Sequence, residues 1–329
     1  MKAAVLRSAG ESPVYADFDE PEVTEGRELA ELVAAGIHPI VRSLAAGTHY
    51  GSTDAYPLIP GIDAVARTAD GALVYAGFLQ APYGTLAERM AVPARMRIPL
   101  PTGADPARIA GGLNPGLSSW LVLRERRDTL PDQKLGTVLI LGATGAAGLL
   151  AVQNAFVLGA DRVIAAGRNR SALERAAGYG ATTVTLHDDK DATASALAEA
   201  IGTVSPSLVL DYVWGTPAEA AFAALGRQGL TEDDADIAYI QIGATAGAEA
   251  AVPAALLRSR RITISGSGGR IRVGAVDPGR HPRVHAVDRR WPVGHRGAGV
   301  PALEGRRRLG RRAIRRHSGR RRPGLIGRR

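Results

Sequence analysis

TVLILGATGAAGLLAVQNAFVLGADRVIAAGRNR, residues 137–170, contains the turn on which the fold depends. TVLIL (137–141) is a short, largely β-branched and apolar run that reads as a buried strand, and AAGLLAVQNAFVL (146–158) reads as a helix stopped at Gly159. RVIAAG (162–167) is a second strand. Between the first strand and the helix stands GATGAAG (142–148), spaced GxxGxxG. Here the backbone must turn sharply and present N–H groups at a helix N-terminus, where the helix dipole favours a pyrophosphate. Side chains would block that approach, so Gly145 and Gly148 stand where a dinucleotide needs them, and small Ala146 keeps the way open. The candidate contacts are Gly142, Ala143, Thr144, Gly145, Ala146, Ala147 and Gly148. A bare glycine-rich turn is the alternative; the strand–turn–helix context favours the cofactor.

Twenty residues beyond Gly148 the second strand ends in Gly167-Arg168-Asn169-Arg170. An acid at this place would accept a hydrogen bond from the adenosine 2′-hydroxyl. Arg168 can instead pair with a 2′-phosphate through a charge-assisted fork, or it can be a solvated loop arginine. The missing carboxylate argues separately against NAD. NADPH is the expected cofactor, with Asn169 and Gly243 completing its candidate contacts.

Outward from this unit the pattern repeats. TTVTL (182–186), LVLDYV (208–213), IAYIQIG (237–243) and ITISG (262–266) read as further strands. Helices intervene at SALERAAG, with Ser171 and Glu174 as a capping box, around ALAEAIG, and at TPAEAAFAALG, with Thr216 as cap, Pro217 at the first helical position and Glu219 closing the box. Six short strands separated by helices imply an α/β fold with a doubly wound parallel sheet. Residues 1–115 differ: KAAVL, ELAELVAAGI, GALVYAGF and AERMAVPA are strands punctuated by Pro and Gly, as in an irregular, mostly β domain.

The totals agree with two domains in 329 residues. Cysteine is absent, which excludes disulfides, thiolate nucleophiles and Cys-built zinc sites. The N-terminus has no apolar run long enough for a signal peptide and no stretch approaches the ~20 apolar residues of a membrane span, so a soluble cytoplasmic protein is expected. The net charge of +9 comes from one segment: residues 270–329 carry nineteen Arg and three acids, +16, which leaves −7 for residues 1–269. Overall basicity is therefore no argument for a nucleic-acid partner.

With a β-rich first domain and the dinucleotide unit second, the chain resembles the medium-chain dehydrogenase/reductase superfamily, and most of all its zinc-free quinone-oxidoreductase branch. The segments that carry this are MKAAV, AAGIHPIVRSLAAGTHY (34–50), YPLIPGIDAVA (56–66), YGTLAER (83–89), GLSSW (116–120), LGATGAAGLLAVQNAFVLGA (141–160) and VLDYVWG (209–215). The resemblance spans about residues 1–268. It implies a GroES-like catalytic domain (1–115) and a Rossmann NADP-binding domain (116–268), with cofactor and substrate in the cleft between them. Zinc-dependent relatives place a Cys where this chain has His38, and Gly-His-Glu where it has Gly61-Ile62-Asp63. Ile62 cannot ligate a metal, so no metal site is expected, and His38 reads as a hydrogen-bonded structural histidine rather than a ligand with His49 and Asp63.

Loss of zinc narrows the chemistry. Hydride transfer to an ordinary ketone develops alkoxide charge that a Lewis acid stabilises. A quinone or conjugated enone spreads that charge over its own π system. The expected partner is thus a small-molecule electron acceptor, and a homodimer is possible. Proton-donor candidates are Tyr50, which the resemblance puts near the substrate cleft, and His38, where family members often carry Asn. The family's acid three residues later is Val41 here.

Past Gly268 the resemblance stops, and residues 269–329 lack the apolar periodicity of the family's closing helices and strand. Their Arg, Gly, Pro, Val and His are what GC-rich DNA encodes off-frame. Trp291 has the single codon TGG and Pro292 begins with C, so a one-base shift forces GGC, glycine, and the neighbouring codons permit FMQLIADGRLDI over 284–295 and a TGA stop at Leu325. These strings resemble the superfamily's usual ending. A frameshift near residue 269 is the expectation; a genuine basic arm, binding nucleic acid through phosphates, is the alternative, and a cofactor-binding protein without turnover is a third reading.

Overall fold

A computed structural model describes residues 1–77, 79–226 and 234–268, in two compact units that divide at Gly111/Gly112. The expected exposure and off-frame origin of residues 269–329 lie outside the described residues.

In the first unit β1 (Lys2–Val5) pairs antiparallel with β2 (Val14–Asp17). β3 (Arg27–Ala35), α1 (Pro39–Ala45), β4 (Asp63–Thr68), β5 (Leu73–Gly77), β6 (Arg89–Pro93) and β7 (Ile98–Pro99) follow. The five strands from β3 onward form one antiparallel sheet in the order β6-β3-β4-β5-β7. The expected KAAVL, ELAELVAAGI, GALVYAGF and AERMAVPA are β1, β3, β5 and β6. Unread in the sequence was β4, whose residues Asp63 to Ala66 are buried in succession, so no polar alternation marks it. The helix α1 was also missed. Its start is set by His38, extended at φ −83° and ψ 165°, and by Pro39, whose fixed φ suits a first helical residue.

α2 (Pro106–Thr129) begins in the first unit and continues into the second. The second unit is β8 (Gly136–Leu141), α3 (Ala146–Val157), β9 (Ala160–Gly167), α4 (Arg170–Gly178), β10 (Thr182–Thr185), α5 (Lys190–Ile201), β11 (Leu208–Asp211), α6 (Gly215–Leu225), β12 (Ile237–Gln241), α7 (Ala254–Ser259) and β13 (Ile262–Gly266). All six strands run parallel in the order β10-β9-β8-β11-β12-β13. This is the doubly wound α/β sheet expected from the alternating runs. Successive β8 side chains serve opposite faces: Val138 and Ile140 join a core with Ala151, Val152 and Ala155 of α3, while Leu139 and Leu141 join Leu197 of α5 and Phe222 of α6. Burial on both faces contributes ~1.5–3 kcal/mol per large aliphatic side chain and explains the near-continuous apolar runs.

Two caps differ from expectation. α4 is capped by Asn169, whose Oδ1 accepts from the Ala172 amide at 3.0 Å, and not by Ser171. Ser171 Oγ donates to the same oxygen, and Glu174 pairs with Arg170 at 3.3 Å. α6 begins a residue earlier than Thr216, after Trp214, and Glu219 accepts from the Ala251 amide at 3.0 Å. In both places a polar residue just inside the helix resembles a cap in sequence, but a tighter preceding turn has already started it.

Candidate functional site

The order of the parallel sheet reverses between β8 and β11: from β8 the chain builds outward through β9 and β10, then returns to β8's other side. Ligands of doubly wound sheets bind beyond the strand C-termini at such a switch point. Both loops that leave β8 and β11 here are tightly specified. Gly142 has φ +84°, and the amides of Gly142 and Ala143 both donate to the Ala166 carbonyl of β9 at 2.9 Å.

The glycines divide into two kinds. A Cβ on Gly148 would lie 2.3 Å from the Gly142 oxygen, on Gly142 2.8 Å from Val213 Cγ1, on Gly167 2.3 Å from Thr144 Cγ2, and on Gly243 2.7 Å from the Tyr212 oxygen. Those four are glycine because other protein atoms fill the space. At Gly145 the nearest such atom is 3.7 Å away, so the room above it is open to a ligand. Gly145 caps α3 without a side chain, and the amides of Ala146, Ala147 and Gly148 find no acceptor among the described residues. Three such donors at the positive end of a twelve-residue helix, flanked only by small residues, fit a pyrophosphate.

Thr144 links this turn to the next candidate. Its methyl covers Gly167 at the end of β9, and Arg168 follows, exposed and with no partner among the described residues. Asn169 uses its oxygen to cap α4, which leaves only its amide nitrogen for a ligand. Gly243 supports the turn after β11, its amide donating to the Asp211 carbonyl at 3.1 Å. That turn is held by Asp211, which is fully buried. Its Oδ1 accepts from the Val213 and Trp214 amides at 2.8 and 2.9 Å, and its Oδ2 from the Tyr239 hydroxyl at 2.6 Å. Burial pushes the Asp211 carboxyl up despite these donors, and drives the Tyr239 hydroxyl well above its ordinary range, helped by the Asp211 charge. Trp214 takes φ +54° with ψ −162°, a sparsely populated conformation that costs a residue with a Cβ ~1–3 kcal/mol, and its ring packs edge-on against Phe222 and Tyr239.

In the first unit the structure joins His38 to Asp63, but not to His49 or Tyr50. His38 is 7% exposed and Asp63 fully buried. Nε2 of His38 lies 3.3 Å from Asp63 Oδ2 in hydrogen-bonding alignment and 3.1 Å from Oδ1 without it. Oδ2 also accepts from the Tyr75 hydroxyl at 3.0 Å, and Thr85 Oγ1 donates to the Asp63 carbonyl. Burial first, then the Asp63 charge, pushes the Tyr75 hydroxyl far above its ordinary range, so it stays a donor. Gly36 makes room for the ring: a Cβ there would stand 2.2 Å from His38 Nε2. Residues flanking His38 line an open groove of about 570 Å³ formed by Ile37, Pro39, Arg42, Ser43 and Ala46. Tyr50 is 92% exposed, its ring tilted against His49 at 4.1 Å. Among the described residues no three His, Cys, Asp or Glu side chains gather as a metal site requires, and no helix is long and apolar enough to cross a membrane.

No family model matches the chain. A probable NADPH-dependent quinone reductase of Emericella nidulans is 30% identical to it over 263 residues, covering 70% of this chain and 72% of the relative. The chain belongs to the quinone-oxidoreductase branch of the medium-chain dehydrogenase/reductase superfamily. Solved members of the superfamily share its fold. The quinone oxidoreductase of Thermus thermophilus, solved also in complex with NADPH, superposes with a TM-score of 0.62 at 26% identity, over 81% of this chain and 79% of that one. An alcohol dehydrogenase superfamily protein of Novosphingobium aromaticivorans gives 0.65 at 26% identity, over 81% and 78%. The buried hydrogen-bond partner of Asp63 that sequence reading did not find is Tyr75.

Proposed function

We propose that this oxidoreductase transfers hydride from NADPH to a quinone or an α,β-unsaturated carbonyl without zinc. The observation that carries the reading is the open cradle over Gly145. Three α3 amides there, and Arg168 next to them through Thr144, have no partner among the described residues. The relatives' NADPH supports the same choice. The amides of Ala146, Ala147 and Gly148 would hold the pyrophosphate and Arg168 the 2′-phosphate. Bound there, the cofactor supplies a hydride at nicotinamide C4.

A conjugated acceptor suits the rest of the chain. Ile62 has no donor atom for a metal, and His38 Nε2 is directed to Asp63, so the positions that hold zinc in zinc-dependent relatives offer no ligand set to polarise a simple carbonyl. Turnover of NADPH with a benzoquinone, an enone and a simple ketone, with and without a strong chelator, tests the reading. Oxidation with the first two, unchanged by chelation, is expected. Stoichiometric zinc lost together with activity, or no binding of NADPH, would overturn it.

A further inference from the structure

The geometry points to Asp211 as a positioning residue for the cofactor: its ionised carboxylate holds the β11–α6 turn in the form that keeps the α3 cradle open to a pyrophosphate. This deepens the reading of the cradle and rests on it. Every residue involved belongs to the second unit. Asp211 ends β11 at the switch point and is fully buried. Its Oδ1 accepts from the Val213 and Trp214 amides and its Oδ2 from the Tyr239 hydroxyl, which lies diagonally across the β11–β12 pair on the same face. Its main-chain carbonyl accepts two more amides, those of Ile242 and Gly243, at 2.7 and 3.1 Å. One residue thereby ties the loop after β11 to the loop after β12, and the Ala246 amide, donating to the Val213 carbonyl at 2.8 Å, completes the tie.

The tie reaches the cradle through Val213. Its Cγ1 sits so close over Gly142 that a Cβ there would stand at 2.8 Å. The Gly142 oxygen accepts from the Gly145 amide at 3.2 Å and lies against Gly148, so the turn after β11 sets the backbone of the phosphate turn. That turn is not relaxed. Trp214, at φ +54° and ψ −162°, keeps its conformation only because its surroundings impose it. The two amide bonds to Oδ1 are charge-assisted while the carboxylate is ionised and weaker once it is protonated.

The neighbours leave Asp211 to titrate by itself. β8 presents Leu141 opposite it and β12 presents Gln241 and Tyr239, whose hydroxyl burial and the Asp211 charge keep protonated. Tyr212 points its hydroxyl at Ser118 of α2, and Glu219, the acid of α6, pairs with Lys190 of α5. Burial raises the carboxyl. Since the ionised form is the one that grips the turn, affinity should grow as pH rises through the raised value. A charge acting directly on the pyrophosphate would repel it and give the opposite sign.

Calorimetric titration of the full chain with NADP⁺, which tolerates acid, compares the parent with Asp211→Asn, Tyr239→Phe and Val213→Ala from acid to mildly alkaline pH. Urea midpoints follow stability in parallel. Asn keeps an oxygen for the two amides and offers an N–H to Tyr239, the pattern of the protonated acid. At the alkaline end Asp211→Asn should bind about tenfold more weakly than the parent, and the two should converge in acid. The phosphate of the cofactor titrates alike in both and cancels. Over the same interval the parent should gain stability relative to Asp211→Asn, so affinity and stability move in opposite directions, which a purely structural role does not produce. Tyr239→Phe, with one donor fewer on the carboxylate, should shift the loss of affinity to higher pH, and it carries the test if Asp211→Asn does not fold. Val213→Ala should abolish the pH dependence with the carboxylate intact. Tighter binding by Asp211→Asn, a ratio to the parent that does not change with pH, or an unmoved Tyr239→Phe profile overturns the proposal alone. A parent that binds NADP⁺ at no pH overturns the cradle reading beneath it.

Discussion

Asp211 and Tyr239 show what one buried carboxylate does to the chain. The carboxyl is raised by burial, so its charged form is less favourable in the folded protein than in the unfolded one. The sign follows from linkage: its contribution to stability is fully present below the unfolded pKa and lost as pH rises through the folded value. Stability of the parent relative to Asp211→Asn should therefore fall between acid and neutral pH, which urea midpoints measured from pH 3 to 8 will show. Tyr239→Phe removes the donor to Oδ2 and should cost ~1–3 kcal/mol at neutral pH. Arg168 poses the opposite case, an exposed charge with no partner among the described residues. NADPH should bind at least about tenfold tighter than NADH, and Arg168→Ala should erase most of that difference, ~1.4 kcal/mol per tenfold. Equal affinities in the parent would remove Arg168 from the site.

At the scale of an element, the turn into α3 separates glycines that pack from the glycine that admits a ligand. Gly148→Ala drives a methyl onto the Gly142 oxygen, a backbone atom that cannot swing aside, and should destabilise the protein by ~1–3 kcal/mol. Gly145→Ala meets nothing closer than 3.7 Å and has φ −79°, so it should melt like the parent while binding NADPH about tenfold more weakly. Calorimetry and titration on the two variants check both statements. The turn itself was legible because strand, glycines and helix are contiguous. The division of labour was not, because it depends on atoms that only the folded turn brings together: the Gly142 oxygen over Gly148, and Val213 and Tyr212, about seventy residues away, over Gly142. The same holds for the strands. ITISG is β13 residue for residue, its two isoleucines alternating with polar residues as suits a half-buried edge strand, whereas β4 begins on an acid whose partners, Tyr75 and His38, are distant in sequence.

For the molecule as a whole, charge is divided as sharply as fold. Residues 1–269 sum to −7 and residues 270–329 to +16. The full chain should bind a heparin column and elute only at raised salt, and a chain ending at residue 269 should flow through. A chain read one base out of register after residue 269 should also flow through, and should be more soluble and more active; if it is neither, the frameshift account fails. The positive φ of Trp214 has an optical consequence. Its indole is anchored one residue beyond Val213, the side chain that closes over Gly142, and its emission overlaps the absorption of a reduced nicotinamide. With Trp120 and Trp291 replaced by Phe, NADPH should quench Trp214 and glow by energy transfer, and NADP⁺ should not. The strained turn would then act as a built-in lamp that reads the redox state of whatever lies in the cradle.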